Sequence, residues 1–281
     1  MPTHGNLAIG IDIGGTGIKA GLVDVARGRL VGKRARVDTP QPATPAAVEQ
    51  SLRAALAALQ SQTVAEYGAD RAPRLDRLPA GTAFPGVVKE GVVGYAPNLD
   101  PSWIGAHLGE LAGRLTGCSH VLNDADAAGL AEMAYGAGRR FRRGTVVITT
   151  LGTGIGTALF TAGRLFPFSE LGHIELDGAE AEAVAARSVA VREGLDFPAW
   201  AERLQRYYAE LEKILNPDAF IVGGGVSKRH AEFLPLIHTN AALIPAQLRN
   251  EAGIVGAALF AAHGGKPKAG VPKRLRGKKS R

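Results

Sequence analysis

The chain has 281 residues, 46% of them apolar and 21% charged, with a net charge of +7 and one cysteine. That composition allows one large globular domain or two modest ones, and a single Cys118 excludes an internal disulfide and any multi-cysteine zinc site. No apolar run reaches membrane-spanning length and Met1-Pro2-Thr3-His4 does not open a secretory signal, so a cytoplasmic protein with no membrane partner is expected.

Apolar residues at 7, 9, 11 and 13 alternate with small or polar ones, which is the period of a strand. Gly14-Gly15 then suits a tight turn with positive φ, and Ile18 to Val25 returns as the second arm of a hairpin. Asp12, Gly14, Gly15 and Thr16 stand together at this turn. Glycine lets backbone N–H groups approach an anion, threonine adds a hydroxyl donor, and Asp12 can hold a metal-bound water, which together suit a phosphate tail with Mg²⁺. A plain Gly-Gly hairpin fits the stretch equally well. Neither a Walker loop nor Gly-x-Gly-x-x-Gly occurs.

Leu30 to Val37 reads as a third strand, and Thr44-Pro45 as the cap and first turn of a helix carrying Val48, Leu52, Leu56 and Leu59. Leu78 to Phe84 reads as a strand running into Pro85-Gly86. Gly91 to Tyr95 is another, before the loop Pro97 to Pro101. Ser102 is expected to cap a helix that carries Trp103, Leu108, Leu111 and Leu115. Ser119 to Leu122 is a short strand that meets Asn123-Asp124 and an Ala-rich helix reaching about Tyr135.

Arg139-Arg140-Phe141-Arg142-Arg143 is a dense basic cluster, either a solvated loop or a patch for a long anion. Thr145 to Leu151 is a β-branched run expected to be a buried strand. It turns at Gly152-Thr153-Gly154-Ile155-Gly156 and returns through Thr157 to Thr161. The opening device is thus repeated, which suggests two related α/β lobes with an anion between them. Long helices are expected over 180–193 and 197–215, the second capped by Asp196. Ala219 to Val222 is a buried strand ending in Gly223-Gly224-Gly225. A helix over Ala252 to Ala262 has Gly253 and Gly256 on one face for close packing. From Gly264 to Arg281 there are eight basic residues and no acid, more than the whole net charge, so the body of the chain is not basic. This tail is expected to be disordered, and either loose polyanion tethering or solubility accounts for it.

Asn123-Asp124 lies where a strand ends and a helix begins, the edge at which open α/β sheets bind ligands. Asp is also a good helix cap, so capping and catalysis both stay open. A catalytic Asp here could take a proton from a sugar hydroxyl while Asn123 holds a neighbouring one. Glu170-Leu171-Gly172-His173 suits a polyol, or is an exposed turn. No second histidine completes a metalloprotease motif, and no hydrolase nucleophile motif occurs.

Taken in order, Asp12-x-Gly14-Gly15-Thr16-x-x-Lys19, Asn123-Asp124, Leu151 to Gly156, Glu170 to His173 and Gly223-Gly224-Gly225 resemble the ROK sugar kinases of the actin and hexokinase superfamily. The resemblance spans Ile9 to about His263. Ile174 to Ala190 lacks the cysteine cluster with which most bacterial ROK kinases bind structural zinc. That absence, with Thr149 to Gly156, Glu170 to Gly178 and Val222 to Lys228, looks like the polyphosphate glucokinase branch, glucomannokinases included.

The resemblance implies a two-lobed actin/hexokinase-like (ribonuclease H-like) α/β fold with a mixed sheet in each lobe and an interlobe cleft. The lobes are expected at 1–121 plus 253–263, the smaller, and 122–252, the larger. It implies Asp124 as the base for the sugar 6-hydroxyl, and Asn123, Glu170 and His173 as hydroxyl ligands. Glu182 stands for a further sugar-binding glutamate, and Gly86 and Asn98 for sugar-contacting loops. Gly14, Gly15, Thr16 and Lys19 match the first phosphate loop, Gly152, Thr153 and Gly154 the second, and Gly224 the adenosine-side turn. Asp12 is expected to hold Mg²⁺ through water, with no structural zinc. Glucose, and mannose as a further acceptor, inorganic polyphosphate and ATP are the implied partners of a homodimer with no specific nucleic acid. Arg139 to Arg143, Lys228-Arg229 or the tail could guide polyphosphate. The alternatives are an ATP-only hexose or N-acetylhexosamine kinase and a sugar-responsive transcription regulator. The first strand starting by Leu7 argues against the regulator.

Overall fold

The computed structural model describes residues 4–268 and Gly270. In chain order, β1 (Leu7–Ile13), β2 (Gly17–Asp24) and β3 (Arg29–Asp38) form a meander, followed by α1 (Pro45–Tyr67) and β4 (Ala80–Phe84). A small hairpin of β5 (Val87–Lys89) and β6 (Val92–Tyr95), then α2 (Leu108–Thr116), lead to β7 (His120–Asn123) and α3 (Asp124–Tyr135). A second meander follows in β8 (Thr145–Leu151), β9 (Ile155–Thr161) and β10 (Arg164–Phe166). Next come the two-residue strands β11 (Glu175–Leu176) and β12 (Ala179–Glu180), α4 (Ala181–Ala185), α5 (Arg187–Arg192) and α6 (Phe197–Leu215). The strands β13 (Ala219–Gly223) and β14 (Ala242–Pro245) and the helix α7 (Ala252–Ala262) complete the described fold.

Two five-stranded mixed sheets result, ordered β3-β2-β1-β4-β7 and β10-β9-β8-β13-β14. In each, an antiparallel three-stranded meander is extended by two parallel strands. The sequence shows only the repeated hairpin; the strand order shows that the whole sheet is repeated. This is the α/β fold with a central mixed sheet in each half that the resemblance implies.

The chain divides into two compact units, one running to Ala131 and resuming at Glu251, the other Glu132–Asn250. The division falls inside α3, later than the expected boundary after 121, and the first unit is the longer one. Two contacts hold the start of α3 to the first unit. β7 pairs with β4 in register from Gly81↔His120 to Phe84↔Asn123. A Cβ on Gly256 of α7 would lie 1.7 Å from the Ala127 carbonyl oxygen of α3, an approach that only glycine permits.

The first unit buries Ile9, Ile11, Ile13, Leu52, Phe84 and Trp103 in one core. The second buries Val147, Leu151, Trp200, Leu204, Tyr208 and Phe220 in another. α1 starts as expected, with Thr44 accepting a hydrogen bond from the Ala47 N–H at 3.3 Å. Asp196 caps α6 through the Ala199 N–H at 2.9 Å.

Two helix expectations are corrected. Ser102 does not cap a long helix. Asp100 caps a 3-10 turn over Pro101–Trp103, Gly105 at φ +79 breaks the chain, and α2 begins only at Leu108. Trp103 is fully buried there and donates to the Ala43 carbonyl at 2.7 Å. The expected helix over 180–193 is split into α4 and α5 at Ala186, whose ψ of 153° is extended. Its last carbonyls are taken from outside: Trp200 Nε1 donates to Ala185 at 2.8 Å and Arg203 to Val184 at 3.0 Å.

Gly265 still donates its N–H to the Phe260 carbonyl at 3.0 Å. Most of the basic tail, from Lys273 on, lies outside the described residues. No helix among them is long and apolar enough to cross a membrane.

Candidate active site

In the first unit, the β1–β2 turn is held from three sides. Gly14 N–H donates to Gly17 O at 3.1 Å, Thr39 Oγ1 donates to Gly14 O at 2.5 Å, and Arg36 reaches Thr16 O at 3.4 Å. Neither Gly14 nor Gly15 has positive φ, contrary to the reading from sequence. Nothing lies within 4 Å of a Cβ built on Gly15, so the exposed tip of the turn has open space for an anion to meet the backbone. Lys19 Nζ lies 2.7 Å from Asp12 Oδ2, across the register pair Asp12↔Lys19. Gly253 of α7 faces the same carboxylate, 3.1 Å from its Cγ to a would-be Cβ. A carboxylate with one oxygen on Lys19 and the other kept clear by glycine is a hard-oxygen donor that suits Mg²⁺.

At the end of β7 the two neighbouring acid-amide residues divide their work. Asn123, not Asp124, is the cap: its Oδ1 accepts from the Ala125 N–H at 2.8 Å and the Asp126 N–H at 3.1 Å. Its Nδ2 donates to the Gly86 carbonyl at 3.2 Å. Gly86 can approach that closely because a Cβ there would meet Tyr95 O at 2.2 Å. Asp124 is the first residue of α3, half-buried, and its Oδ1 accepts from the Ala125 N–H at 2.8 Å. Asn98 lies on an exposed turn.

In the second unit, the β8–β9 turn is closed by Gly152 N–H on Gly154 O at 3.0 Å. Ser188 pins it from α5, with its N–H on Gly152 O at 3.0 Å and its hydroxyl on Thr153 O at 2.5 Å. Gly152 also has nothing within 4 Å of a would-be Cβ. Gly224, at φ +84, packs on β8, 2.3 Å from its would-be Cβ to Leu151 O.

Glu170, His173, Glu180 and Glu182 gather beside this turn. His173 Nε2 is 4.0 Å from Glu170 Oε2, and its Nδ1 is 3.1 Å from Glu180 Oε2. His173, Glu180 and Glu182 each bring one ligand atom within 4.8 Å of the others. Glu182 Oε2 also accepts the Ile155 N–H at 3.1 Å, and Gly154 leaves it room. Glu182 therefore joins the phosphate-type turn to the polyol-type cluster. Partial burial pushes the Glu170 carboxyl above its ordinary range; His173 opposes the shift and Glu182 adds to it. Glu180 and Ser188 were missed in the sequence, because neither carries a motif and each acts through a neighbour brought in by the fold.

A model described as the ROK family matches residues 8–188. The chain belongs to the ROK family. A polyphosphate glucokinase of Mycobacterium tuberculosis is 44% identical over 252 residues, 89% of each chain. Among solved structures, the inorganic polyphosphate/ATP-glucomannokinase from Arthrobacter sp. strain KM matches with a TM-score of 0.84 and 47% identity. That match covers 92% of this chain and 99% of the other. The ROK family glucokinase from Streptomyces griseus, in complex with glucose and AMPPNP, matches with a TM-score of 0.73 and 27% identity over 92% and 99% of the chains. Within this ROK chain, the two glycine turns and the Asn123-Asp124 corner are thus parts of a kinase fold.

Proposed function

We propose that this ROK protein is a glucokinase that moves the terminal phosphoryl group of inorganic polyphosphate, and also that of ATP, to the 6-hydroxyl of glucose. The observation that carries the donor assignment is the 44% identity, across 89% of both chains, to a protein named polyphosphate glucokinase. The Arthrobacter relative's name supports ATP as a second donor and mannose as a second acceptor. The glucose and AMPPNP in the Streptomyces griseus structure support the same pair of substrate classes.

In this reading Asp124 accepts the 6-hydroxyl proton as O6 forms its bond to phosphorus and the donor's P–O–P bond breaks. Asn123, fixed by its capping bonds, orients a hydroxyl with its remaining amide hydrogen, while Glu170 and His173 take others. The loose, charge-rich transition state is stabilised by the backbone at Gly14–Thr16 and Gly152–Gly154 and by Lys19. Asp12 would hold Mg²⁺ through water, and that ion would neutralise developing charge on the phosphates. The family resemblance supports a homodimer, and the single cysteine supports a cytoplasmic setting.

The test is a coupled glucose 6-phosphate assay run in parallel with polyphosphate and with ATP. Wild type is expected to turn over with polyphosphate as sole donor, and Asp124→Asn to lose about 10²- to 10⁴-fold in kcat with both donors. An Asp124→Asn enzyme of wild-type rate removes Asp124 as the base. Turnover with ATP alone removes the polyphosphate reading.

A further inference from the structure

Arg187 opens α5, one residue before the Ser188 that pins the second glycine turn through Gly152 O and Thr153 O. Its guanidinium carbon stands 4.9 Å over the Phe197 ring centre and 5.2 Å over that of Trp200. Nη1 is buried and has no hydrogen-bond partner, and no carboxylate among the described residues pairs with the side chain.

The same Phe197 ring carries a second guanidinium, that of Arg229, at 4.3 Å. Arg229 lies on the 3-10 segment Gly225–Glu232 that follows the Gly224 turn. It is neutralised: Glu232 accepts from its Nε and Nη2 at 2.6 Å each. One cation on this aromatic platform therefore has its anion and the other does not. The turn that leads to Arg229 is itself packed on Leu151, the last residue before the Gly152–Gly154 turn.

A buried donor without an acceptor is a cost that native structures rarely carry without a reason. Arginine is weakly hydrated and planar, so two aromatic faces can hold it desolvated, with its N–H fork set in advance for the oxygens of a phosphate. We propose that Arg187 is a donor-side binding residue, whose guanidinium takes a phosphate of inorganic polyphosphate beyond the one being transferred. This rests on the reading of polyphosphate as donor. The shared chemistry, a chain of linked phosphates, also occurs in a nucleoside triphosphate, and the test separates the two.

Arg187→Gln and Arg187→Lys are made in the full-length chain. For Gln, KM for long-chain polyphosphate is expected to rise about tenfold, the worth of roughly one charge-assisted hydrogen bond. KM for glucose and KM for ATP should stay within twofold, and Lys should recover part of the loss because it keeps the charge but not the fork. The rise in polyphosphate KM with added salt should be shallower in Gln than in wild type. Tripolyphosphate alone, without glucose, should raise the melting temperature of wild type and not that of Arg187→Gln, which reads binding whether or not polyphosphate is turned over.

Unchanged polyphosphate KM and an unchanged melting shift in Arg187→Gln overturn the proposal. So does an equal loss with ATP and polyphosphate, or a loss that falls on glucose KM, the mark of a packing role against Trp200. Failure of wild type to use polyphosphate, with the tripolyphosphate shift still dependent on Arg187, would instead indict only the donor reading.

Discussion

Nδ1 of His173 lies 3.1 Å from Oε2 of Glu180, seven residues further along the chain. The β11–β12 hairpin, pairing Glu175 with Glu180, turns the chain back so that this carboxylate meets the ring from behind. With Nδ1 protonated, the ring donates to Glu180 and keeps Nε2 as an acceptor on the side of Glu170. Glu180→Ala is expected to raise KM for glucose about tenfold, roughly one hydrogen bond to a charged group, with kcat little changed. Glu180→Gln, whose amide oxygen still accepts, should lose less. Steady-state kinetics on both variants decide it; equal KM values in wild type and Glu180→Ala would show that the contact does not orient the ring.

The glycines of the two turns and of α7 do different work, and alanine separates them. At Gly256 a Cβ would collide with Ala127 O at 1.7 Å, backbone against backbone, so Gly256→Ala should destabilise by about 3 kcal/mol. At Gly15 there is open space and no positive φ, so Gly15→Ala should change stability by less than about 0.5 kcal/mol. It should nevertheless raise donor KM about tenfold, because the methyl fills the space in which the anion meets the backbone. Urea unfolding and donor kinetics on the two variants check both halves.

Asn123 links a helix cap to a loop carbonyl, and two substitutions divide these roles. Asn123→Asp keeps the acceptor for Ala125 and Asp126 and loses the bond to Gly86, whereas Asn123→Ala loses all three. The alanine variant should lose about 1–2 kcal/mol of stability and the aspartate variant less. Glucose KM should rise in both, since neither retains the amide donor. Thermal melting with glucose kinetics distinguishes the cap from the ligand.

Glu170 sets a pH dependence of known sign. Burial, with the Glu182 charge beside it, raises its pKa above the ordinary carboxyl value, and the His173 charge only partly offsets this. The folded state then binds its proton more tightly than the unfolded chain. Its contribution to stability declines as pH rises from about 4.5 through the folded value. If ionised Glu170 accepts from sugar hydroxyls, kcat/KM for glucose falls on the acid side with a midpoint above the ordinary carboxylate range. Glu182→Gln removes one raising charge and should move that midpoint to lower pH. A pH profile whose acid limb is unmoved by Glu182→Gln rejects the coupling.

Much of this fold is legible locally. The alternation at 7, 9, 11 and 13, the Thr44-Pro45 and Asp196 caps, and the β-branched run at 145–151 each state their own structure, because hydrogen bonding and burial there follow from neighbours in sequence. The order of five motifs carries the family, since each glycine turn must follow its strand. Gly253 and Gly256 are legible as a close-packing face of α7, and Gly256 meets Ala127 O as that face requires.

What the tertiary structure alone decides is which partner each polar group finds. The 180–193 segment has helical periodicity throughout, yet Trp200 and Arg203 claim its carbonyls and Ala186 breaks it. Gly14 and Gly15 read as positive-φ residues, but the structure gives neither a positive φ, and Thr39 and Arg36 hold the turn through the Gly14 and Thr16 carbonyls instead. Asp124 reads from sequence as either cap or catalyst, and only the structure shows that Asn123 Oδ1 takes the Ala125 and Asp126 N–H groups while its amide reaches Gly86 O at 3.2 Å. Glu180, Arg187 and Ser188 carry no local signal, and Glu182 stands out only through the family resemblance. Their meaning lies in contacts made through space, and sequence periodicity records only which face a residue is on, not what meets it there.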